Sequence, residues 1–165
     1  MSNLELSRGL MGDEVDWRHI RHFNRSEWSE GLRETSALLI YALDEFRHNL
    51  GYPVYISPAN WGRHGETSYH YPQARNNNQC WAVDVFTKAP LCWAYHTAVR
   101  SRFFAGIGVY PDWEWEDQDL VGGLHLDIRE YNSNKKVWWR DNSGYHTVRS
   151  VDDLSDMEIL MLTSM

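Results

Sequence analysis

Cysteine is scarce in this chain, since Cys80 and Cys92 are the two cysteines among 165 residues. Two cysteines cannot build the disulfide framework that stabilises many small secreted domains, and they are too few to hold a structural zinc ion without histidine. A disulfide would need the fold to bring the pair together by chance. We therefore expect two buried free thiols in a single domain, residues 1–165, that is stabilised by one apolar core.

Long apolar runs are missing as well. No segment approaches the roughly 20 apolar residues that a membrane-spanning helix needs. Residues 1–5 lack the charged and apolar regions of a signal peptide. These absences predict a protein that is made in the cytoplasm and has no membrane as its partner.

Basic residues are outnumbered, with 16 Lys and Arg against 23 Asp and Glu and a net charge of -7. This balance opposes non-specific adhesion to nucleic acid or anionic lipid. Nine tryptophans do not change that expectation, because the Trp-rich stretch 111–117 is acidic, whereas surfaces that bind single strands interleave aromatic residues with Lys and Arg. Nucleic acid is therefore excluded as an expected partner.

Apolar periodicity predicts an α+β domain with a small, mainly antiparallel sheet, a long N-terminal helix and flanking helices. Apolar residues at three-, four- and seven-residue steps (Leu32, Leu39, Leu43, Phe46 and Leu50) predict the long helix over 29–50, and Gly51 and Pro53 mark its end. Residues 1–12 carry no periodicity and are expected to be loosely ordered. The other predicted helices are 91–102 and 154–162, the long polar loop is 58–79, and the predicted strands are 54–57, 80–86, 106–110, 123–129 and 137–140.

One carboxylate, Asp84, lies inside the apolar run 80–86. An unpaired buried charge is costly, so Asp84 requires a cation. Histidines lie on both sides of it in the sequence, at His70 and His125, and neutral imidazole together with carboxylate is the ligand set of a catalytic zinc ion that keeps one position open for water. The run therefore indicates a candidate metal site.

The segment 124–129 alternates, so that His125, Asp127 and Arg129 share one face of the predicted strand. Alternation by itself favours an ordinary solvated strand face over a functional site. A lone histidine is likewise more often a satisfied polar residue than a ligand. What favours a site is that this strand and the Asp84 strand form the most apolar part of the chain, and each of them presents an acid.

Four motifs, taken in their order along the chain, resemble the signature of the zinc D-Ala-D-Ala carboxypeptidase-like peptidases, a family that includes bacterial cell-wall peptidases and phage endolysins. The motifs are Ser68-Tyr69-His70, Ala82-Val83-Asp84, the glycine-rich stretch 106–111 with its Tyr-Pro, and His125-Leu126-Asp127-Ile128-Arg129. The resemblance covers residues 17–140 and implies the family's fold, which is that of the hedgehog and D-Ala-D-Ala peptidases. Four ordered elements are far more specific than any one of them.

The chain departs from the family pattern in two places. Thirteen residues separate His70 from Asp84, whereas the family usually has about six, and such an insertion is tolerable because each doubling of loop length costs only about 0.6 kcal/mol. Some relatives also carry a catalytic Glu three residues before the last histidine, where this chain has Gly122. The general base must then come from another residue.

The resemblance implies that His70, Asp84 and His125 hold one zinc ion. Asp127 is either the general base or an acceptor that orients His125, and the two roles are equally weighted. Arg63 matches the position of an arginine that binds the substrate carboxylate, with Arg129 as the runner-up. Smaller contributions are expected from Ser68, in positioning the loop or bonding a ligand, from Tyr110 beside the metal, and from 112–119 as a lid or groove wall.

The implied function is a zinc metallopeptidase that hydrolyses peptidoglycan peptides, as a carboxypeptidase or an endopeptidase, acting at the bacterial cell wall and encoded by a phage or related element. One alternative is a non-catalytic module of the same fold, such as a virion component, in which His64 completes the zinc shell. A second alternative is an interaction protein without metal, in which the Trp-rich surface is the important part.

Overall fold

A computed structural model of the chain describes residues 9–57, 65–72, 78–129 and 135–163. Within these residues the chain forms three α-helices and one six-stranded sheet. The helices are α1 (Ala37–Leu50), α2 (Leu91–Arg100) and α3 (Val151–Thr163). The strands are β1 (Val54–Ile56), β2 (Ala82–Thr87), β3 (Gly106–Trp115), β4 (Leu120–Asp127), β5 (Lys136–Asp141) and β6 (Gly144–Thr147).

The strands lie in the order β1-β2-β4-β3-β5-β6, and every neighbouring pair is antiparallel except β3 with β5, which is parallel. The prediction of an α+β domain with a mainly antiparallel sheet is therefore confirmed. The three strands that carry the sequence motifs, β2, β4 and β3, lie side by side at the centre of the sheet.

The two faces of these central strands differ in chemistry because side chains alternate along a strand. On one face, apolar residues join the helices in a single core. These core residues are Val83, Val85, Ile107, Val109, Leu124 and Leu126. The opposite face carries Asp84, His125 and Asp127 together with glycines and large aromatic residues. The sheet therefore separates the core from a polar and aromatic face.

The long helix begins later than the sequence predicted. Residues Arg25–Glu34 form a 3-10 helix, Thr35 and Ser36 are extended, and α1 starts at Ala37. The reason is tertiary hydrogen bonding, since Cys80 donates its N–H to Glu34 O at 2.6 Å and Ser36 donates to Cys80 O at 3.1 Å. The end of the helix is as predicted, because Gly51 adopts the left-handed conformation that closes a helix.

The strand predictions differ from the structure at the carboxyl half of the chain. Strand β3 continues to Trp115, beyond a bulge between Tyr110 and Glu114, and residues Glu116–Gln118 form a short 3-10 turn. The stretch 112–119 is therefore mostly part of a hairpin with β4. Strand β6, which the sequence analysis did not predict, pairs with β5 across a tight turn.

Both cysteines are free thiols, as expected. Cys80 is buried, and burial raises the pKa of its thiol to about 12, so it is not a reactive thiolate at neutral pH. Cys92 is only partly buried.

The amino-terminal segment is described from Gly9 onwards, and it joins the core near the start of α1. The Gly12 N–H donates to Thr35 O at 2.8 Å, and the Ala37 N–H donates to Leu10 O at 2.9 Å. None of the described helices is both long enough and apolar enough to cross a bilayer.

Candidate metal centre

Sheet register brings Asp84 and His125 together. Asp84 on β2 lies directly opposite His125 on β4, and Gly108 on β3 lies opposite His125 from the other side. Because directly opposed residues in antiparallel strands point to the same face, the carboxylate and the imidazole are neighbours. This pairing joins residues 41 positions apart in the chain.

His70 reaches the same point from the turn that precedes β2. The turn is fixed by the Ser68 hydroxyl, which accepts the His70 N–H at 3.2 Å, and by the Tyr71 N–H, which donates to Ser68 O at 3.2 Å. The Trp81 N–H donates to Tyr69 O at 2.8 Å and ties the turn to the residues entering β2. Ser68 therefore shapes the turn that presents His70.

Three ligand atoms converge at the centre of the site. His70 Nε2 lies 3.0 Å from His125 Nδ1 and 3.2 Å from Asp84 Oδ1, and His125 Nδ1 lies 3.0 Å from Asp84 Oδ1. His70 and Asp84 are buried, and His125 is nearly so. The predicted ligand set is thus brought together, and it is the one group of three or more potential metal-ligating side chains found among the described residues.

Hydrogen bonding cannot satisfy this triangle. Each nitrogen presents either a proton or a lone pair to the centre, and the ionised Asp84 oxygen presents lone pairs. With three mutual contacts and only two kinds of partner, at least one contact must set proton against proton or lone pair against lone pair. A cation at the centre removes the conflict, because all three atoms can then direct lone pairs at it.

The spacing also suits an ion. Around a tetrahedral zinc ion with bonds of about 2.0–2.1 Å, ligand atoms lie roughly 3.3 Å apart. The distances of 3.0 to 3.2 Å are close to that value. Two imidazoles and one carboxylate suit zinc and also Fe(II), so the donor set admits a divalent ion without fixing its identity.

The charge of Asp84 is consistent with this arrangement. Burial by itself raises the pKa of this carboxyl, but hydrogen bonds with His125 and His70 outweigh burial and hold its pKa well below the ordinary value. Asp84 is therefore ionised at neutral pH, as a metal ligand must be.

Asp127 lies behind His125. Its Oδ2 is 3.1 Å from His125 Nε2, and the side chain is fully buried. This contact favours the tautomer with the proton on Nε2, which leaves the Nδ1 lone pair for the centre of the site. Gly106 makes room for the carboxylate, because a Cβ at that position would lie 2.1 Å from Asp127 Oδ2.

Arg129 lies behind Asp127 in turn. Its backbone N–H donates to Asp127 Oδ1 at 3.2 Å, its Nε donates to Oδ1 at 2.7 Å, and its Nη2 donates to Oδ2. The guanidinium also lies 4.5 Å from the centre of the Tyr69 ring and 5.5 Å from that of Trp138. Both oxygens of Asp127 are therefore engaged by protein donors.

An aromatic wall flanks the centre, and the sequence analysis identified only part of it. Trp138 on β5 packs 5.2 Å from the His125 ring and over Gly108, where a Cβ would meet the indole at 2.6 Å. Its Nε1 donates to the Tyr110 hydroxyl at 3.0 Å, and Tyr110 stacks on Trp113 at 3.9 Å. Tyr110 thus belongs to the site face. Glycine at 106 and 108 within a strand was the available signal of a close approach.

The remaining predictions fall outside this cluster. Arg63 and His64 lie outside the described residues. Asp112, in the stretch predicted as a lid or wall, pairs with Arg140 at 2.7 Å, and Trp113 is the residue of that stretch that joins the aromatic wall. The other described histidines have separate neighbours: His22 contacts His48, and His19, His96 and His146 each pair with a carboxylate.

Comparison of the chain with protein-family models, with curated proteins and with solved structures finds no match in any of the three.

Proposed function

We propose that this chain is a zinc-dependent peptidase that hydrolyses peptide bonds of bacterial peptidoglycan. The observation that carries the proposal is the triangle of His70, Asp84 and His125, whose contacts cannot all be hydrogen bonds. Among the described residues no fourth ligand atom joins the three. Two imidazoles and one carboxylate, with the fourth position left to water, form the donor set of a catalytic zinc ion, and this is the arrangement proposed here.

A zinc ion bound there would supply a Lewis acid and a water whose pKa is lowered to about 7. The protein's part is to hold and orient the ligands. Of the two roles open to Asp127, we favour orientation of His125, because both of its oxygens already accept hydrogen bonds and the side chain is fully buried. In this proposal Asp127 keeps the His125 proton on Nε2 and takes no proton from water.

Tyr110 is the residue we propose as a hydrogen-bond donor to the substrate carbonyl. Its oxygen accepts the Trp138 N–H, so its own proton remains available to a bound molecule. Burial raises the pKa of Tyr110 to about 12, which keeps the hydroxyl protonated at neutral pH. Arg63 stays the proposed partner of a substrate carboxylate on the basis of the sequence resemblance.

The choice of substrate depends on the four ordered motifs and on the fold that they imply, that of the hedgehog and D-Ala-D-Ala peptidases. The insertion between His70 and Asp84 leaves the two ligands 3.2 Å apart, which supports the expectation that the family's zinc site tolerates a longer loop. The net charge of -7 also disfavours polyanionic substrates.

The test is release of new amino groups from purified peptidoglycan by the zinc-loaded protein. We expect release that stops with a chelator, returns with one equivalent of zinc, and is absent in Asp84→Asn. The matched control is Asp16→Asn, which replaces an exposed aspartate and should leave release unchanged. Release that persists with chelator or in Asp84→Asn would contradict the proposal.

The same experiment separates the non-catalytic module from the enzyme. A module would bind zinc and release no amines, and a His64→Ala variant would then lose the ion, because His64 would be its fourth ligand. The enzyme instead retains zinc in His64→Ala.

A further inference from the structure

Arg129 contacts both segments that supply histidine to the centre. One contact is with Asp127, whose carboxylate it binds through Nε and Nη2, and Asp127 in turn meets His125 Nε2. The other contact is with Tyr69, the residue next to His70, whose ring lies 4.5 Å from the guanidinium carbon. These segments are 55 residues apart in the chain.

The geometry points to Arg129 as a positioning residue that fixes both histidines around the metal. Through Asp127 it holds the His125 ring in one orientation, because a carboxylate bound by two parallel N–H groups cannot rotate freely. By stacking on Tyr69 it holds the turn that presents His70, and Trp138 covers the guanidinium from 5.5 Å. The inference depends on the proposed metal site but not on the proposed hydrolysis.

This assignment differs from the expectation that Arg129 binds substrate. A substrate-binding arginine offers its fork to solvent, whereas the fork of Arg129 is directed at Asp127 and its side chain is 18% exposed. Desolvation lowers the pKa of Arg129, but the Asp127 hydrogen bond and charge outweigh it and raise the pKa, so the guanidinium keeps its charge. Arg129 is therefore a residue that holds the metal ligands in position, and it does not bind substrate.

The chain offers a matched control. Arg18 follows Asp16 by two residues, as Arg129 follows Asp127, and it uses the same donor atoms. Its backbone N–H lies 3.1 Å, its Nε 2.9 Å and its Nη2 2.7 Å from the Asp16 carboxylate. That pair lies on the surface and touches none of the three ligands. Lysine in place of either arginine keeps the positive charge and removes the planar fork.

The test is the zinc dissociation constant, measured by competition with a chromophoric chelator. Arg129→Lys should weaken binding by roughly 10- to 100-fold, the usual effect of losing the support of a metal-bound histidine. Tyr69→Leu should weaken it by a smaller factor, and this factor should shrink when Arg129 is already Lys, since the two residues act through one contact. Arg18→Lys should leave the constant within about twofold of the unaltered protein, since an exposed pair contributes little.

Three results would overturn the inference. The first is a dissociation constant unchanged in both Arg129→Lys and Tyr69→Leu. The second is no zinc binding by the unaltered protein. The third is unchanged zinc affinity in Arg129→Lys with a raised KM for a substrate that bears a free carboxylate, which would assign the residue to substrate. A protein that binds zinc and shows the predicted affinity changes but cleaves nothing would reject the proposed peptidase and leave Arg129 in its positioning role.

Discussion

This molecule contains two Asp-x-Arg units, each with a histidine beside it. One consists of Asp16, Arg18 and His19, and the other of Asp127, Arg129 and His125. Their hydrogen bonds are alike, whereas their burial differs. In both units the arginine donates its backbone N–H and Nε to one carboxylate oxygen and its Nη2 to the other. The histidine approaches the same carboxylate through Nε2, at 3.5 Å for His19 and 3.1 Å for His125. The hydrogen bonds between arginine and aspartate are therefore the same in both units, although the histidine follows the aspartate in one and precedes it in the other.

Burial separates the two units. The side chains of Arg18, His19 and Asp16 are 88%, 73% and 37% exposed. Those of Arg129, His125 and Asp127 are 18%, 12% and 0% exposed. Water competes for every contact in the first unit and is nearly excluded from the second, so the same bonds orient a side chain firmly only in the second. The Asp-x-Arg motif therefore becomes part of a site only through the sheet register around it.

Removal of the histidine should give the largest difference between the two units, and this difference is in zinc affinity. His125→Ala should weaken zinc binding roughly 60- to 700-fold, because a zinc site contributes about 10–16 kcal/mol over four ligands, or about 2.5–4 kcal/mol for each, and each 1.4 kcal/mol is a factor of ten. His19→Ala should change nothing. Calorimetric titration with zinc measures both, and similar affinities for the two variants would contradict the ligand assignment.

Removal of the carboxylate should separate the units in stability. Asp127→Asn should lower the free energy of unfolding of the zinc-free protein by about 3 kcal/mol, because it leaves a largely buried guanidinium without its partner. Asp16→Asn should leave the free energy of unfolding nearly unchanged, because exposed pairs contribute little. Urea unfolding in the presence of a chelator measures both values, and equal losses would show that burial does not distinguish the units.

The stabilisation that Asp127 provides should be lost at low pH. Burial raises the pKa of Asp127, but hydrogen bonds from Arg129 and His125 outweigh burial and lower the pKa to about 2 from an ordinary value of 3.8. Since the folded pKa is below the unfolded one, the stabilisation is complete above about pH 4 and disappears as pH falls through about 2. The difference in free energy of unfolding between the unaltered protein and Asp127→Asn should therefore shrink as the pH is lowered from 5 to 2.

Proton competition should make zinc binding depend on pH. Burial opposes the charge on His125, but hydrogen bonds with Asp127 and Asp84 outweigh it and raise the pKa of the zinc-free imidazole to about 9. A charged imidazole must lose its proton to bind zinc, so affinity should rise roughly tenfold per pH unit between pH 6 and 8. Titration in buffers of different ionisation enthalpy should show protons released, and a flat profile would contradict the role of His125.

The smallest difference between the two units should be the response of their Asp–Arg coupling to salt. The coupling between Asp16 and Arg18, measured by a double-mutant cycle, should be small and should fall towards zero at 1 M salt, where the screening length is about 3 Å. The coupling between Asp127 and Arg129 should hardly change over the same range. Equal salt sensitivity in the two cycles would indicate that water reaches both pairs.

The sequence was sufficient to predict the three candidate ligand residues that the structure brings together, and insufficient to predict the residues that surround them. Asp84 was recognisable because a carboxylate in an apolar strand needs a cation, and His125 and Asp127 because they lie in a second apolar strand and in the last of the four ordered motifs. The break in the long helix at Thr35 and Ser36 could not be predicted, since it depends on hydrogen bonds to Cys80, which lies 44 residues beyond Ser36. Trp138 was missed because β5 pairs in parallel with β3, and no local pattern reveals which strand becomes the neighbour.

Zinc K-edge X-ray absorption of the protein loaded with one equivalent of zinc would report the atoms that bind the ion. We expect nitrogen and oxygen ligands at about 2.0–2.1 Å, with outer-shell scattering from two imidazoles. A sulfur ligand at about 2.3 Å, or a spectrum without imidazole scattering, would show that His70, Asp84 and His125 do not form the metal site.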